Sequence, residues 1–264
     1  MDLRTILDEF ASGMISLDEV EKQISLHAIE KVEDIAKLDI GREVRRGIPE
    51  IIFAENKERY DVIRIATAAI KRNGRVVISR VRRNELSKIA GALRNKGLAV
   101  EIGKNSTTIL VSGKSFSSYK ATETMIGIMA AGTSDVGVAE EARLVAKAMG
   151  CKAIASYDVG IAGMHRLFPV LKEMLVQGVG AIVVVAGMEG ALASVVASMV
   201  DVPVVGVPTS IGYGFGANGV AALASMLQSC TLGLAVVNID NGVGGGAYAA
   251  SIAKHIKNEK HFYS

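Results

Sequence analysis

The sequence predicts an α/β protein in which a three-layer domain, a parallel sheet with helices on both faces, follows a smaller α/β domain. Three observations predict it. The second half alternates strand and helix patterns five times. Its strands are near-continuous apolar runs, which is typical of parallel strands buried on both faces. Shorter β-branched runs with helical stretches between them come first. We place the domains at residues 1–117 and 118–264.

The smaller domain opens with two short amphipathic helical segments, ILDEF and SLDEVEKQI. Ser16 and Glu19 form the sequence pattern of a capping box, and we expect helix to about residue 30. From about residue 33 to 117 the pattern becomes α/β, with helical stretches near 57–72 and 83–96. The predicted strands are EIIFA, RVVIS, LAVEI and TTILV.

The second domain follows a Ser/Lys/Gly-rich connector, SGKSFSSYK, and contains five predicted strand–helix units. The strands are TMIGIMA, CKAIASYD, GAIVVVAG, VPVVGVP and LAVVNID. The helices are expected at 136–149, 165–177, 190–200, 217–229 and about 246–257. Such a series indicates parallel strands joined by crossover helices.

Composition and charge argue against several functions. A net charge of +3, without a Lys/Arg block interleaved with aromatic residues, argues against nucleic acid as a partner. The longest apolar run, VGAIVVVAGM, precedes Glu189 and falls far short of the roughly 20 residues of a membrane helix. The N-terminus lacks the pattern of a signal peptide. We therefore expect a cytoplasmic protein that does not insert into a membrane.

Glycine and small polar residues follow every predicted strand of the second domain. Ligands of parallel sheets bind at the carboxyl ends of the strands, so these loops predict a pocket for an anionic, phosphorylated ligand. Ordinary turns and helix caps are the alternative. The candidate binding residues are Gly132, Thr133, Ser134, Asp135, Asp158, Gly160, His165, Arg166, Gly187, Met188, Asp240, Asn241 and Gly242.

Three side chains are candidates for reactivity. Glu189 interrupts an apolar stretch where a buried unpaired charge is costly, so we expect it to face the pocket. The alternative is an acidic residue favoured by the dipole of the next helix. Cys151 and Cys230 have no metal-type spacing and indicate no disulfide framework. We interpret Cys151 as a small buried hydrophobic residue. For Cys230, a reactive thiol and a packing role both stay open.

The order of four segments resembles the aminoimidazole ribonucleotide carboxylase family. They are GTSD, AGMHR, AGMEGALASVVASMVDVPVVGVP and LQSCTLGLAV. The histidine of that family's AAHLP segment falls at Ala191 here. The chain is more similar to the related LarB-type carboxylase/hydrolases of nickel-pincer nucleotide biosynthesis. That similarity runs from about residue 33 to the end of the last helix, in LDIGREVRRGIPEIIFAENK, SRVR, AGTSDVGVAEEA, SYDVGIAGMHRL, AGMEGALASVV, SCTLG and NIDNGVGGG.

The LarB resemblance implies the first step of nickel-pincer cofactor biosynthesis. Nicotinic acid adenine dinucleotide, CO2 and water would give pyridinium-3,5-biscarboxylic acid mononucleotide and AMP. Cys230 matches the nucleophile of the family and Glu189 its acid/base partner, and we expect both at the ligand edge of the sheet. From the first domain, Arg42, Arg46 and Arg80, with Asp39 and Glu50, either reach the substrate or form interdomain ion pairs.

The resemblance also implies a homo-octamer and no organic cofactor. Mg2+ held by Asp135, Asp158 or Asp240 is one source of the positive charge that the phosphates need, and His165 and Arg166 are another. Two other functions stay open. A purine-type carboxylase or mutase would need an imidazole where Ala191 stands, and a non-catalytic nucleotide sensor would bind the dinucleotide without using Cys230.

Overall fold

The computed structural model of the 264-residue chain describes residues 3–25, 29–113 and 124–262. The chain divides into two compact units, Met1–Glu101 with Leu110–Ser118, and Ile102–Ile109 with Tyr119–Ser264. The domain boundary predicted between residues 117 and 118 lies outside the described residues and stays a prediction.

The first unit begins with two short helices, α1 (Leu3–Ala11) and α2 (Leu17–Ser25). Glu19 N–H donates to Ser16 Oγ at 3.3 Å, which is one half of the predicted capping box. Both predicted helical segments are confirmed, but α2 ends at Ser25 and not near residue 30, and β1 (Ile29–Val32) pairs antiparallel with β2 (Ala36–Asp39). The hairpin was missed because its strands carry several charged residues and few β-branched ones.

The remainder of the first unit is a four-stranded sheet with two longer helices. The order of its strands is β3-β4-β6-β5, and β3 runs parallel to β4. The four predicted β-branched runs and both predicted helices are confirmed. The elements are α3 (Arg42–Arg46), β3 (Ile51–Phe53), α4 (Arg59–Asn73), β4 (Arg75–Ser79), α5 (Arg83–Asn95), β5 (Ala99–Ile102) and β6 (Ile109–Ser112). Every residue of β4 is buried.

The second unit contains the predicted five-stranded parallel sheet, in the order β11-β10-β9-β7-β8. Short 3-10 turns precede three of its helices. All five predicted strand–helix units are confirmed, although α10 begins at Gly242 and not near residue 246. The elements are β7 (Met125–Ala130), α6 (Val136–Ala148), β8 (Lys152–Tyr157), α7 (Leu167–Val176), β9 (Ile182–Ala186), α8 (Ala191–Ala197), β10 (Val204–Pro208), α9 (Val220–Leu227), β11 (Leu234–Val236) and α10 (Gly242–Phe262).

Helices cover both faces of this sheet, as the sequence predicts. On one face, Ile182 and Val184 of β9 belong to the core that includes buried residues of α7, α8 and α9. On the other face, Val183 lies beside Gly245 of α10, and α10 packs against α6. Chain order reverses between β7 and β9, because β8 lies on one side of β7 and the later strands lie on the other. Such a switch point opens a crevice at the carboxyl ends of the strands.

The glycine run at the start of α10 allows close packing of this helix. A Cβ on Gly246 would lie 2.4 Å from the Ala142 carbonyl oxygen of α6, and a Cβ on Gly245 would lie 2.5 Å from Val207 Cγ2 of β10. Only glycine fits at such distances, and this requirement outweighs its low helix propensity. No helix among the described residues is long and apolar enough to cross a membrane.

Candidate active site

Asp135, which follows β7, joins three loops at the carboxyl edge of the parallel sheet. Its side chain is 4% exposed. It accepts hydrogen bonds from Gly132 N–H at 2.9 Å and from the Thr209 hydroxyl at 2.6 Å, and Gly187 N–H is a third donor. Burial raises the pKa of Asp135, and the hydrogen bonds oppose this shift. The carboxylate therefore holds together the loops after β7, β9 and β10, and its predicted contact with a ligand stays a prediction.

Two further contacts bring the loops of the outer strands into the same edge. After β8, Gly160 N–H donates to the Ala131 carbonyl at 2.8 Å, and a Cβ on Gly160 would lie 2.8 Å from that oxygen. After β11, Asp240 accepts a hydrogen bond from Ser210 N–H at 2.9 Å. The five strand-end loops therefore form one connected rim, in agreement with the convergence that the sequence predicts.

Within four residues of the end of a strand of the parallel sheet, three non-glycine residues have positive φ angles. They are Asp158 at 61°, Met188 at 50° and Asp240 at 53°. Such backbone conformations are uncommon for residues with a side chain and concentrate at functional sites. Each of the three lies shortly after its strand, on the edge where the crevice opens.

The predicted binding residues differ in what their side chains contact. Asn241 caps α10, since its Oδ1 accepts a hydrogen bond from Gly244 N–H at 2.8 Å. A Cβ on Gly242 would lie 2.3 Å from the Val138 carbonyl oxygen, so helix packing accounts for this glycine. The exposed members of the set are Thr133, Ser134, Asp158, His165, Arg166 and Met188. Asp158 and Arg166 form an ion pair with each other.

Acidic residues outnumber basic ones on the described loops of this rim. Asp135, Asp158, Glu189 and Asp240 carry carboxylates, and Arg166 carries a guanidinium group. Among the residues that the structure describes, no group of three or more His, Cys, Asp or Glu side chains has an arrangement that would hold a metal ion. The predicted Mg2+ therefore remains a prediction without a ligand set.

The two candidate reactive residues lie on opposite connections of the sheet. Glu189 is exposed in the turn between β9 and α8. Cys230 is also exposed, but it lies between α9 and β11, and in a parallel sheet such helix-to-strand connections lie at the amino edge. The expectation that Cys230 lies at the ligand edge is therefore wrong. The segment around it nevertheless contacts α8, because the Ser229 and Ser194 hydroxyls lie 2.9 Å apart.

Cys151 is confirmed as a packing residue. Cys151 is 3% exposed, and its Sγ lies 3.8 Å from the Ala250 carbonyl oxygen of α10. Burial raises the pKa of the Cys151 thiol, which disfavours the reactive thiolate.

The arginines predicted to reach the substrate from the first unit form ion pairs within that unit. Arg42 lies 3.7 Å from both Asp39 and Glu50, and Arg80 lies 3.7 Å from Glu55. Burial raises the pKa of Glu50, and the charge of Arg42 opposes that shift. Arg46 is exposed. Substrate contacts of these residues stay predictions.

A buried acidic cluster on α6 was not found by sequence reasoning. Glu140 is 5% exposed and accepts hydrogen bonds from Arg143 Nε at 2.6 Å, from Lys104 N–H at 2.9 Å and from the Tyr157 hydroxyl. Burial alone would raise the pKa of Glu140, but these bonds and the charge of Arg143 leave it below its usual value. Tyr157 is the last residue of β8. Its burial and, to a smaller extent, its hydrogen bond to Glu140 raise the pKa of the Tyr157 hydroxyl. A charged pair at i and i+3, Glu140 and Arg143, was the available sequence signal.

Comparison with known families divides the chain into two matched parts. A model described as the LarB/PurE-like N-terminal domain matches residues 29–112, and a model described as AIR carboxylase matches residues 125–261. The chain belongs to the LarB-type, PurE-like family. The Uncharacterized protein MJ0165 of Methanocaldococcus jannaschii is 45% identical over 256 residues, which cover 96% of this chain and 97% of that protein. Membership in the LarB-type family gives the chain a carboxylase-family role.

Proposed function

We propose that this protein converts nicotinic acid adenine dinucleotide, CO2 and water into pyridinium-3,5-biscarboxylic acid mononucleotide and AMP. The observation that carries the proposal is the pairing of an exposed thiol, Cys230, with an alanine, Ala191, where the purine carboxylases have their histidine. A carboxylase without that imidazole needs another way to activate its substrate. A thiolate supplies one for a pyridinium ring.

The carboxylation follows from the electron demand of the ring. A pyridinium ring is an electrophile and does not attack CO2. Addition of the Cys230 thiolate to the ring carbon opposite the nitrogen forms a C–S bond and places the electron pair in a neutral enamine. The neighbouring ring carbon then attacks CO2 and forms the new C–C bond. Loss of the proton from that carbon, with departure of the thiolate, restores the aromatic ring.

Glu189 is the group that we assign to the proton transfer. Its carboxylate is exposed at the turn before α8, where it is accessible to a ligand. The Cys230 segment contacts Ser194, which lies three residues after the first residue of α8, or about 4.5 Å along the helix axis. A substrate lying along this short helix would therefore approach both candidate groups. This adjacency supports their assignment to one reaction.

The second half of the reaction is cleavage of the phosphoanhydride by water. Attack of water at phosphorus releases AMP and leaves the mononucleotide, and the charge that develops on the phosphate oxygens needs donors. We assign this role to His165 and Arg166 and to backbone N–H groups of the rim. Mg2+ would supply further positive charge to the phosphates, although among the described residues no group of three or more His, Cys, Asp or Glu side chains is arranged to hold it.

We further propose that the protein works as a homo-oligomer, an octamer as the family resemblance implies. Between Asp201 and Asp240 the sequence has no charged residue. Large apolar side chains of this stretch are nevertheless exposed, including Leu227 at 64% and Leu232 at 92%. Such uncharged apolar surface is typical of a protein–protein contact. Light scattering on the purified protein measures the mass of the assembly, and a monomer at working concentration would contradict this part of the proposal.

Product analysis by mass spectrometry tests the proposed reaction. The wild type is incubated with nicotinic acid adenine dinucleotide and bicarbonate, beside Cys230→Ala and the matched variant Cys151→Ala. We expect AMP and the doubly carboxylated mononucleotide from the wild type and from Cys151→Ala, and no carboxylated product from Cys230→Ala. If no variant forms product and all bind the dinucleotide equally, the protein is a nucleotide sensor. In a parallel incubation with aminoimidazole ribonucleotide and bicarbonate, carboxylation of that substrate but not of the dinucleotide would identify a purine-type enzyme.

A further inference from the structure

The loop after β10, residues 210–219, is an Ω-type loop with two aromatic rings near its tip. A Cβ on Gly219 would lie 2.6 Å from the Thr209 carbonyl oxygen, so the two ends of the loop touch. The loop carries Tyr213, which is 83% exposed, and Phe215, which is 101% exposed. Neither residue belongs to the set of predicted binding residues.

The Ω-type loop packs against the turn that carries Glu189. Met188 N–H donates to the Ile211 carbonyl at 2.8 Å, and a Cβ on Gly212 would lie 3.7 Å from Met188 N and Cα. A Cβ on Gly216 would lie 3.8 Å from the Met188 carbonyl oxygen. The backbone on both sides of the two aromatic residues therefore lies beside the residue that precedes Glu189.

We propose that Tyr213 and Phe215 provide the aromatic face on which the pyridinium ring of the substrate stacks. The inference rests on the function proposed above and adds the residues that position the ring. They are the two most exposed aromatic side chains among the described residues, since the next, Tyr60, is 68% exposed. Exposed aromatic faces of this kind serve flat ligands, and a cationic ring gains in addition from the ring quadrupole.

The charges around the loop favour the cationic ring over the other parts of the dinucleotide. The loop has no charged side chain of its own, so it offers no ion pair to a phosphate. Glu189 follows Met188 directly, and Asp240 accepts the hydrogen bond of Ser210 at the base of the loop. The negative charges of Glu189 and Asp240 beside the aromatic face attract a pyridinium cation more than the neutral adenine ring.

Calorimetric binding of two probes tests this assignment. Nicotinic acid mononucleotide has the pyridinium ring, and ribose 5-phosphate has the same sugar phosphate without it. We expect Phe215→Leu and Tyr213→Leu to weaken binding of nicotinic acid mononucleotide about tenfold, the typical effect of a lost stacking contact. Binding of ribose 5-phosphate should stay the same, and Phe215→Tyr should restore binding of the mononucleotide. Tyr248→Leu removes a 51% exposed aromatic ring of α10 and is the matched control.

The possible outcomes separate this inference from the proposed function. If the wild type does not bind nicotinic acid mononucleotide, the stacking role is overturned, whereas the proposed function is decided separately by the product analysis with the dinucleotide. If the wild type binds it and Phe215→Leu binds equally well, only the stacking role is overturned. If Phe215→Leu forms a smaller assembly than the wild type but binds nicotinic acid mononucleotide equally well, the Phe215 ring serves contacts between copies of the chain, and the stacking role is overturned. Equal weakening for both probes would mean that the loop acts through its backbone, which also overturns the stacking role.

Discussion

Removal of the Thr209 hydroxyl tests how the rim of the parallel sheet is held together. The Thr209 side chain is fully buried, and its hydroxyl donates to Asp135 Oδ1 at 2.6 Å. Valine has nearly the same shape but no donor, so Thr209→Val leaves the carboxylate with the N–H groups of Gly132 and Gly187. Packing is preserved, and the substitution isolates one hydrogen bond.

A hydrogen bond to a charged group contributes about 1.5–3 kcal/mol, and we expect Thr209→Val to lower the free energy of unfolding by about 2 kcal/mol at neutral pH. The sign of the pH dependence follows from Asp135. Its folded pKa is raised, so its contribution to stability is complete below the unfolded pKa and is lost as pH rises through the folded pKa. Loss of the hydroxyl raises that pKa further. The difference between the two proteins should therefore shrink as Asp135 becomes protonated.

Urea unfolding followed by circular dichroism measures this difference at neutral and at mildly acidic pH. Thr133→Val is the matched control, because Thr133 is exposed on the β7 loop and its replacement should change stability by less than about 0.5 kcal/mol. An equal loss of stability at both pH values would refute the assignment of the bond to the ionised carboxylate. If Thr209→Val were as stable as the wild type, the role of Asp135 in joining the loops would be refuted.

Two further predictions concern packing and titration. Gly246→Ala should lower the free energy of unfolding by about 1–3 kcal/mol, because its Cβ would lie 2.4 Å from the Ala142 carbonyl oxygen. A Cβ on Gly91 of α5 would meet no other part of the protein within 4 Å, so Gly91→Ala should instead raise the free energy of unfolding by about 0.4–1 kcal/mol. Urea unfolding measures both variants. The raised pKa of Tyr157, hydrogen-bonded to Glu140, predicts a loss of stability as pH rises above about 10, the unfolded pKa of tyrosine. Thermal melts should show a smaller loss for Tyr157→Phe, and an equal loss would contradict this prediction.

The sequence was sufficient for the elements of the parallel sheet. Its strands are buried on both faces, so each one appears as an apolar run, and β9 is buried along its whole length. The first hairpin, β1 and β2, does not have such burial. Each of its strands has four residues, and segments this short are difficult to separate from the preceding helical pattern.

The candidate site was predictable as a set of loops but not as a set of side-chain directions. A polar residue after a strand has the same sequence signal whether it turns toward a ligand or into the protein. Asp135 turns inward because Thr209, 74 residues later, supplies a buried donor, and no local pattern contains that information. The position of Cys230 at the amino edge of the sheet could be predicted from the order of the elements. A residue between a helix and the following parallel strand lies at that edge.

Incorporation of 13C-labelled bicarbonate is the most direct test of the central claim, that this chain carboxylates a pyridinium ring. The wild type is incubated with nicotinic acid adenine dinucleotide and labelled bicarbonate, and the products are examined by mass spectrometry and 13C NMR. We predict one labelled carboxylate on the ring of the mononucleotide product and one AMP for each label incorporated. AMP released without label in the pyridinium product would identify a hydrolase without carboxylase activity and would contradict the claim.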